Sequence, residues 1–194
     1  MKARRFVPVG IISGSLLLGC GGSAVVDSVD DAITATASVA SFNDDDVMFA
    51  QMMIPHHEQA IEMSDIALDP SVGASETVRS LATQIKAAQD PEVAVMTEFL
   101  RSWNKGLTVD ESIDHSDMMT GMLTVDEMSQ LSTLRSSVFD RAWITGMIKH
   151  HEGALDMAEE VLMKGENLAV QTLAKVIIEA QNKEISLMKE LLPQ

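Results

Sequence analysis

Two pairs of adjacent histidines, each set among methionines, are the side chains of this sequence best suited to chemistry. They are His56 and His57 in the segment MMIPHHEQAIEM, and His150 and His151 in the segment GMIKHHEGALDM. Neutral imidazoles and thioethers suit Cu(I) and, because of the same softness, Ag(I), whereas carboxylate-rich sites suit harder ions. The pattern therefore predicts a site for monovalent copper, with Ag(I) as the alternative ion.

The candidate ligands share one face of each of two predicted helices. At 100° per residue, the histidines of a pair and the methionines one or two turns away lie within one arc beside the core. A buried imidazole without a partner costs about 1–3 kcal/mol, so these groups need a ligand or a hydrogen bond. Packing about a twofold axis is expected to gather them around one cavity. The candidate metal ligands are Met53, His56, His57, Met63, Met147, His150, His151 and Met157.

Polar residues also lie on the core side of the helices that follow. They are Gln89, Glu92, Gln181 and Glu184. Such groups hold the second nitrogen of metal-bound histidines and fix the tautomer of the ring. The same residues could instead form a hydrogen-bonded layer without metal, and the pattern alone leaves both readings open.

A second candidate metal cluster lies between the two histidine pairs, in the segment HSDMMTGM. Its members are His115, Met118, Met119 and Met122. Other chemistries lack their residues: the sequence has no Glu-x-x-His pair on the motif helices, no glycine-rich phosphate loop and no nucleophile elbow. The sequence has one cysteine, Cys20, which is expected to carry the lipid anchor described below. Thioethers and imidazoles are therefore the soft metal donors of the mature chain.

An internal repeat predicts the elements that position these residues. A shift of 94 residues aligns Met53–Met63 with Met147–Met157, with seven of eleven positions identical, and a shift of 92 aligns the helices that follow. Apolar periods of three and four residues predict two helical hairpins, which cover each other's apolar faces in an all-α four-helix bundle. Pro55 and Pro91 are expected to kink their helices without ending them.

The predicted domain covers residues 44–194, with repeat one at 44–104 and repeat two at 138–194. The linker, residues 105–137, contains two predicted capping boxes that open short helices, Thr108-x-x-Glu111 and Thr124-x-x-Glu127. The organisation is therefore two similar hairpins joined by a partly helical connection.

The N-terminus indicates export and lipid anchoring. Basic residues precede an apolar run that ends in LLGC, so residues 1–20 read as a lipoprotein signal peptide with Cys20 as the acylated residue. A plain secretory signal is the alternative. Residues 21–43 have the composition of a flexible tether. This predicts an extracytoplasmic protein, in the periplasm or at the cell surface, anchored to a membrane.

The charge of the chain limits its partners. The formal net charge is −15, which disfavours nucleic acid and anionic lipid surfaces and favours cations. A metal ion is therefore the expected partner, in addition to the membrane that receives the lipid anchor.

The paired M-I-x-H-H-E-x-A helices, the linker segment GMLTVDEMSQL and the segment FDRAWITGMIKHHEGAL resemble the bacterial domain-of-unknown-function 305 family. The resemblance covers about Asp44 to Leu192 and implies a ferritin-like four-helix bundle. The family includes extracytoplasmic copper-binding proteins linked to copper resistance. By resemblance, the ligands are the Met-His-His sets at 53, 56, 57 and at 147, 150, 151. The sequence departs from the common pattern at Pro91 and in having few methionines outside the bundle.

Three functions are consistent with the sequence. The first is a lipid-anchored protein that binds Cu(I) for sequestration, tolerance or delivery, acting as a homo-oligomer or with a copper-handling partner. The second is a metal-free interaction or dimerisation module with a buried His/Gln/Glu layer, which could also act as a pH sensor. The third is a redox metalloenzyme. Because no dedicated acid, base or substrate pocket is evident, a non-enzymatic role is predicted.

Overall fold

A computed structural model of the chain describes residues 41–109 and 120–192. Within these ranges the protein is all-α, as predicted. The helices are α1 (Asp44–Leu68), α2 (Glu76–Ser102), α3 (Val125–Thr133), α4 (Ser136–Lys164) and α5 (Leu168–Leu191). The predicted four-helix bundle corresponds to α1, α2, α4 and α5, with α3 in the connection between the hairpins.

Side-chain caps set the starts of the helices. At α1 the Asn43 side chain accepts from the Asp46 amide, and the Asp46 carboxylate accepts from the Asn43 amide. The same reciprocal box forms at α3 between Thr124 and Glu127, as the sequence predicted. The box predicted at Thr108 extends beyond the described residues. These caps satisfy amides that have no partner inside the helix.

Both prolines lie inside helices that continue through them. Pro55 falls within the 25 residues of α1, and Pro91 within the 27 residues of α2. The prediction that neither proline ends its helix is therefore confirmed. As a result, the first histidine pair stays on one continuous helix whose inner face is buried.

The helices pack as two hairpins, with α1 on α2 and α4 on α5, and the hairpins meet where α1 contacts α4. The start of α1 lies beside the end of α4, where the Asn43 side chain donates to the Lys164 carbonyl oxygen at 2.8 Å. The α1 and α4 helices are therefore antiparallel. The middle of one helix lies against the middle of the other.

The core consists of two apolar clusters with a polar layer between them. One cluster includes Phe49, Met53 and Val161, and the other includes Met63 and Trp143. On each bundle helix the buried side chains between the clusters are polar. We call these residues the histidine layer, and they are His56, His57, Gln89, His150, His151 and Gln181, all buried.

Several predicted features lie outside the described residues. These are the signal peptide, the tether up to residue 40, the lipidation site Cys20, and three members of the second candidate cluster, His115, Met118 and Met119. Among the helices that the structure describes, none is both long and apolar enough to cross a membrane.

A buried carboxylate joins the start of α1 to the connection between α4 and α5. Asp46 is fully buried, and its carboxylate accepts from the backbone amides of Asn43 at 2.9 Å, Glu166 at 3.0 Å and Asn167 at 3.1 Å. We expect Asp46→Ala to lower the free energy of unfolding by about 3 kcal/mol, because it leaves buried amides unpaired. Urea unfolding measures this loss. Asp45→Ala, an exposed acid in the same turn, controls for the helix dipole, and equal losses in the two variants would contradict the assignment.

Candidate metal centre

The four imidazoles of the two histidine pairs meet in the middle of the bundle. All four side chains are fully buried. The rings of His56 and His150 have centroids 3.8 Å apart and are tilted by 43°, and the rings of His150 and His151 lie 6.3 Å apart. The α1–α4 contact therefore gathers the predicted histidines into one layer.

Two of the imidazoles are held by carboxylates from the neighbouring helix of their own hairpin. His57 Nε2 lies 2.9 Å from Glu92 Oε2, and His151 Nε2 lies 2.8 Å from Glu184 Oε2. A neutral ring that donates from Nε2 keeps a lone pair on Nδ1, and this tautomer is assigned from the hydrogen bond. The repeat thus builds the same His–Glu pair twice and leaves Nδ1 as the donor atom for a ligand.

The Nδ1 atoms of the layer lack partners. All four are buried without a hydrogen-bond partner among the described residues, and so is Nε2 of His150. His56 Nε2 lies 3.2 Å from the Thr120 carbonyl oxygen, to which it donates. Leaving buried polar atoms unpaired costs about 1–3 kcal/mol each, and a metal ion that accepts their lone pairs removes that cost. The residues therefore fit a soft cation.

Burial keeps two of these rings neutral. Burial is the main cause that lowers the pKa of His56 to about 3; the neighbouring imidazoles of His57 and His151 also lower it, and the Thr120 carbonyl acts in the opposite direction. Burial and the neighbouring imidazoles hold the pKa of His150 well below its usual range. Neutral imidazole is the form that binds metal, so protons do not compete for these two rings near pH 7.

The methionines lie on both sides of the histidine layer. Met53 and Met157 belong to one apolar cluster, and Met63 and Met147 to the other. The four methionines thus flank the layer in two pairs, and the expectation that they surround one cavity with the histidines stays a prediction. Because α1 and α4 are antiparallel, equivalent methionines of the two repeats end on opposite sides of the layer.

Thioethers are candidate ligands beside the imidazoles. Among the residues that the structure describes, no group of three or more His, Cys, Asp or Glu side chains converges as a metal site. The fully buried Met53 and Met147 lie one turn from their histidine pairs on the same helices. A mixed imidazole and thioether set matches the softness of Cu(I) and Ag(I).

The glutamines of the histidine layer do not make the hydrogen bonds to imidazoles that the glutamates make. Gln89 and Gln181 are each 2% exposed, and no hydrogen bond joins either amide to an imidazole in the described part of the chain. The carboxylates of Glu92 and Glu184 make those bonds. Met122, the described member of the second candidate cluster, is half-buried in the segment that precedes α3.

Sequence reasoning missed two contributors to the site. The Thr120 carbonyl is a backbone acceptor, which no side-chain pattern reveals. The other is Gln59, whose side chain bonds the backbone of Leu123 next to the layer. The one available signal was a difference between the repeats, because Gln59 aligns with Gly153 at the shift of 94 residues.

The similarity to known proteins agrees with this geometry. Residues 46–192 match the family described as a domain of unknown function, DUF305. The chain belongs to this family. The resemblance inferred from the histidine motifs is thereby confirmed, and a search of curated proteins finds no significant match.

Solved structures of relatives have the same fold. A DUF305 protein of Streptomyces coelicolor, described as secreted, is 33% identical over 76% of this chain and 90% of its own, with a TM-score of 0.68. A DUF305 fragment from Deinococcus radiodurans is 33% identical over 77% of this chain and 95% of its own, also with a TM-score of 0.68. CopM in its Cu(I)-bound form is 29% identical over 75% and 94%, with a TM-score of 0.61. CopM is also known in Cu(II)-bound and Ag-bound forms.

Proposed function

We propose that this DUF305 protein binds Cu(I), with Ag(I) as the alternative ion, through its histidine pairs and the adjacent thioethers. The observation that carries the proposal is the set of four buried Nδ1 atoms without hydrogen-bond partners among the described residues. A site for a hard cation would instead present carboxylate oxygens. The Cu(I)-bound and Ag-bound forms of CopM support the same choice of ion.

The glutamates prepare the rings for the ion. The bond from Nε2–H to Glu92 or Glu184 restrains the ring and leaves the lone pair on its buried Nδ1. A carboxylate that holds the second nitrogen of a histidine also strengthens the bond of that ring to a metal. Each hairpin thus supplies a pre-oriented imidazole donor from α1 or α4 and its carboxylate partner from α2 or α5.

A metal-free structural layer is the competing reading, and the contacts disfavour it. A buried polar network stabilises a fold when its members satisfy one another. Here Gln89 leaves both amide atoms unpaired, and His150 leaves both ring nitrogens unpaired, within the described part of the chain. Such a layer is poorly satisfied as a purely structural device, whereas it is well supplied with donor atoms for an ion.

The proposed setting is extracytoplasmic. The sequence pattern of residues 1–20 and the LLGC segment support export and acylation at Cys20, and the Streptomyces coelicolor relative is described as secreted. At a membrane surface the protein would sequester copper for tolerance, or pass it to a copper-handling partner. Binding and release suffice for this role, and no turnover is required.

An anaerobic competition between the purified protein and a coloured Cu(I) chelator tests the proposal. All proteins carry Cys20→Ala, because the thiol of the single cysteine would itself bind Cu(I). We expect the protein to withdraw Cu(I) from the chelator. If the protein fails to compete under these conditions, the copper function is wrong.

The thioethers are tested by substitutions that keep the core filled. We expect Met53→Leu with Met147→Leu to weaken Cu(I) binding by about 10–100-fold, because leucine preserves volume and removes the soft donor. Met96→Leu with Met188→Leu is the matched control: these methionines are equally buried, lie in the same two clusters and are also paired by the repeat. Equal weakening by both pairs would show that the loss comes from packing and not from ligation.

A further inference from the structure

A short segment of backbone crosses the bundle at the histidine layer. We call residues 120–123 the strap. Gln59 of α1 holds its far end, since its Nε2 donates to the Leu123 carbonyl oxygen at 2.8 Å and its Oε1 accepts from the Leu123 amide at 2.7 Å. The glutamine side chain thus pairs with the strap as a second backbone would. The strap is fastened to α1 one turn beyond His56.

On α4 the strap is seated directly on the helix backbone. A Cβ on Gly153 would overlap the Thr120 carbonyl oxygen, and a Cβ on Gly121 would overlap the Lys149 carbonyl oxygen. Gly121 also has a φ of +88°, which favours glycine. The absence of side chains at these two positions lets the strap approach α4 closely, beside His150.

The contacts of the strap with α1 and α4 bring one of its carbonyl groups against the imidazole of His56. The Thr120 oxygen lies 3.2 Å from His56 Nε2 and accepts its hydrogen. Gln59 and Gly153 are equivalent positions of the two repeats, yet one is a long amide and the other has no side chain. The repeats therefore differ at the position that contacts the strap. The glutamine forms hydrogen bonds with Leu123, and the glycine leaves room for Thr120.

We propose that Gln59 and Gly153 are positioning residues of the metal centre. They hold the strap so that the Thr120 carbonyl fixes the Nε2–H tautomer of His56 and leaves its Nδ1 lone pair for the ion. The consequence for metal rests on the proposed function. The effect on the tautomer is a property of the protein without metal. The strap meets a long amide side chain on α1 and a bare glycine on α4, so the two repeats are unequal where they contact it.

Nitrogen-15 NMR of the imidazoles in the metal-free protein tests the inference, because two-bond correlations distinguish the Nε2–H and Nδ1–H tautomers. We expect His56 in the parent to be the Nε2–H form. In Gln59→Ala and in Gly153→Ala, His56 should become a mixture of tautomers. The first variant removes the bonds to Leu123, and the second forces Thr120 away while favouring the helix.

The matched control is Gln51→Ala. Gln51 is also a half-buried glutamine of α1 whose side chain makes two hydrogen bonds to a connection, at the carbonyl oxygens of Gly106 (2.7 Å) and Thr108 (3.0 Å). Neither of these bonds is to the strap. In Gln51→Ala we expect His56 to keep the same tautomer as in the parent protein. An unchanged tautomer in both strap variants, or an equal change in Gln51→Ala, would overturn the proposal.

A second readout connects the strap to the ion. We expect Gln59→Ala and Gly153→Ala to release Cu(I) to a chelator about tenfold faster than the parent, with Gln51→Ala unchanged. If the parent binds no copper but the tautomer still changes in the strap variants, the copper function fails and the positioning role stands. If copper binds tightly and the tautomer does not respond, the positioning role fails alone.

Discussion

Changing His57 and His151 together to alanine is expected to weaken Cu(I) binding by at least about 1000-fold, equivalent to about 4 kcal/mol. These two rings are the ones whose Nε2 atoms are held by carboxylates, at 2.9 Å and 2.8 Å, so their Nδ1 atoms are the best-oriented donors of the layer. Their loss removes one pre-oriented ligand from each hairpin. Competition with a Cu(I) chelator measures the change, and circular dichroism confirms that the variant is folded.

The control for this variant changes the same layer without removing an imidazole. Gln89→Leu with Gln181→Leu replaces two buried amides that have unpaired atoms, so we expect copper affinity within about threefold of the parent and unchanged or greater stability. If the glutamine variant loses copper as completely as the histidine variant, the layer acts as one structural unit. The assignment of the imidazoles as ligands would then be wrong.

In the metal-free protein, His56 and His150 together are expected to lower the free energy of unfolding by about 4 kcal/mol between pH 7 and pH 5. His56, with its pKa lowered to about 3, and His150, with its pKa also lowered, stay neutral in the folded protein. In the unfolded chain a histidine has a pKa of about 6.5 and takes up a proton as the pH falls. Each such histidine therefore lowers stability by about 1.4 kcal/mol per pH unit well below 6.5.

The sign of this effect separates it from that of a salt bridge. A histidine stabilised by a carboxylate would have a raised pKa, and its contribution would be present at low pH and lost as the pH rises. Here stability is greatest above about pH 6.5 and falls towards acid. Urea unfolding at a series of pH values measures the slope, and His56→Leu with His150→Leu should remove most of it. A flat profile in the parent between pH 7 and pH 5 would contradict the assignment of both rings as neutral.

The sequence was sufficient to predict the bundle because its signals are local and repeated. Apolar periods defined the helices, and the box at Thr124 marked the start of α3. The shift of 94 residues showed that the two histidine pairs occupy equivalent positions. Spacing also brought Glu92 and Glu184 into the site, since each lies on the helix that covers its own histidine pair.

What the sequence could not show depends on how separate elements meet. The division of the methionines between two clusters follows from the antiparallel contact of α1 and α4, which places Met53 with Met157 and not with Met147. The Thr120 carbonyl belongs to the backbone, so its bond to His56 has no side-chain signature. Glutamines and glutamates beside the core read alike in the sequence, although of these two residue types only the glutamates bond imidazoles in the described structure.

The most direct test of the account is nitrogen-15 NMR of the imidazoles during addition of Ag(I), a diamagnetic substitute for Cu(I), to the Cys20→Ala protein. The account predicts that the Nδ1 resonances of His57 and His151 shift on binding, while their Nε2 atoms stay protonated and bonded to Glu92 and Glu184. If the ion shifts the Nε2 resonances instead, or shifts none of the imidazoles, the buried Nδ1 atoms are not the ligands and the central claim is wrong.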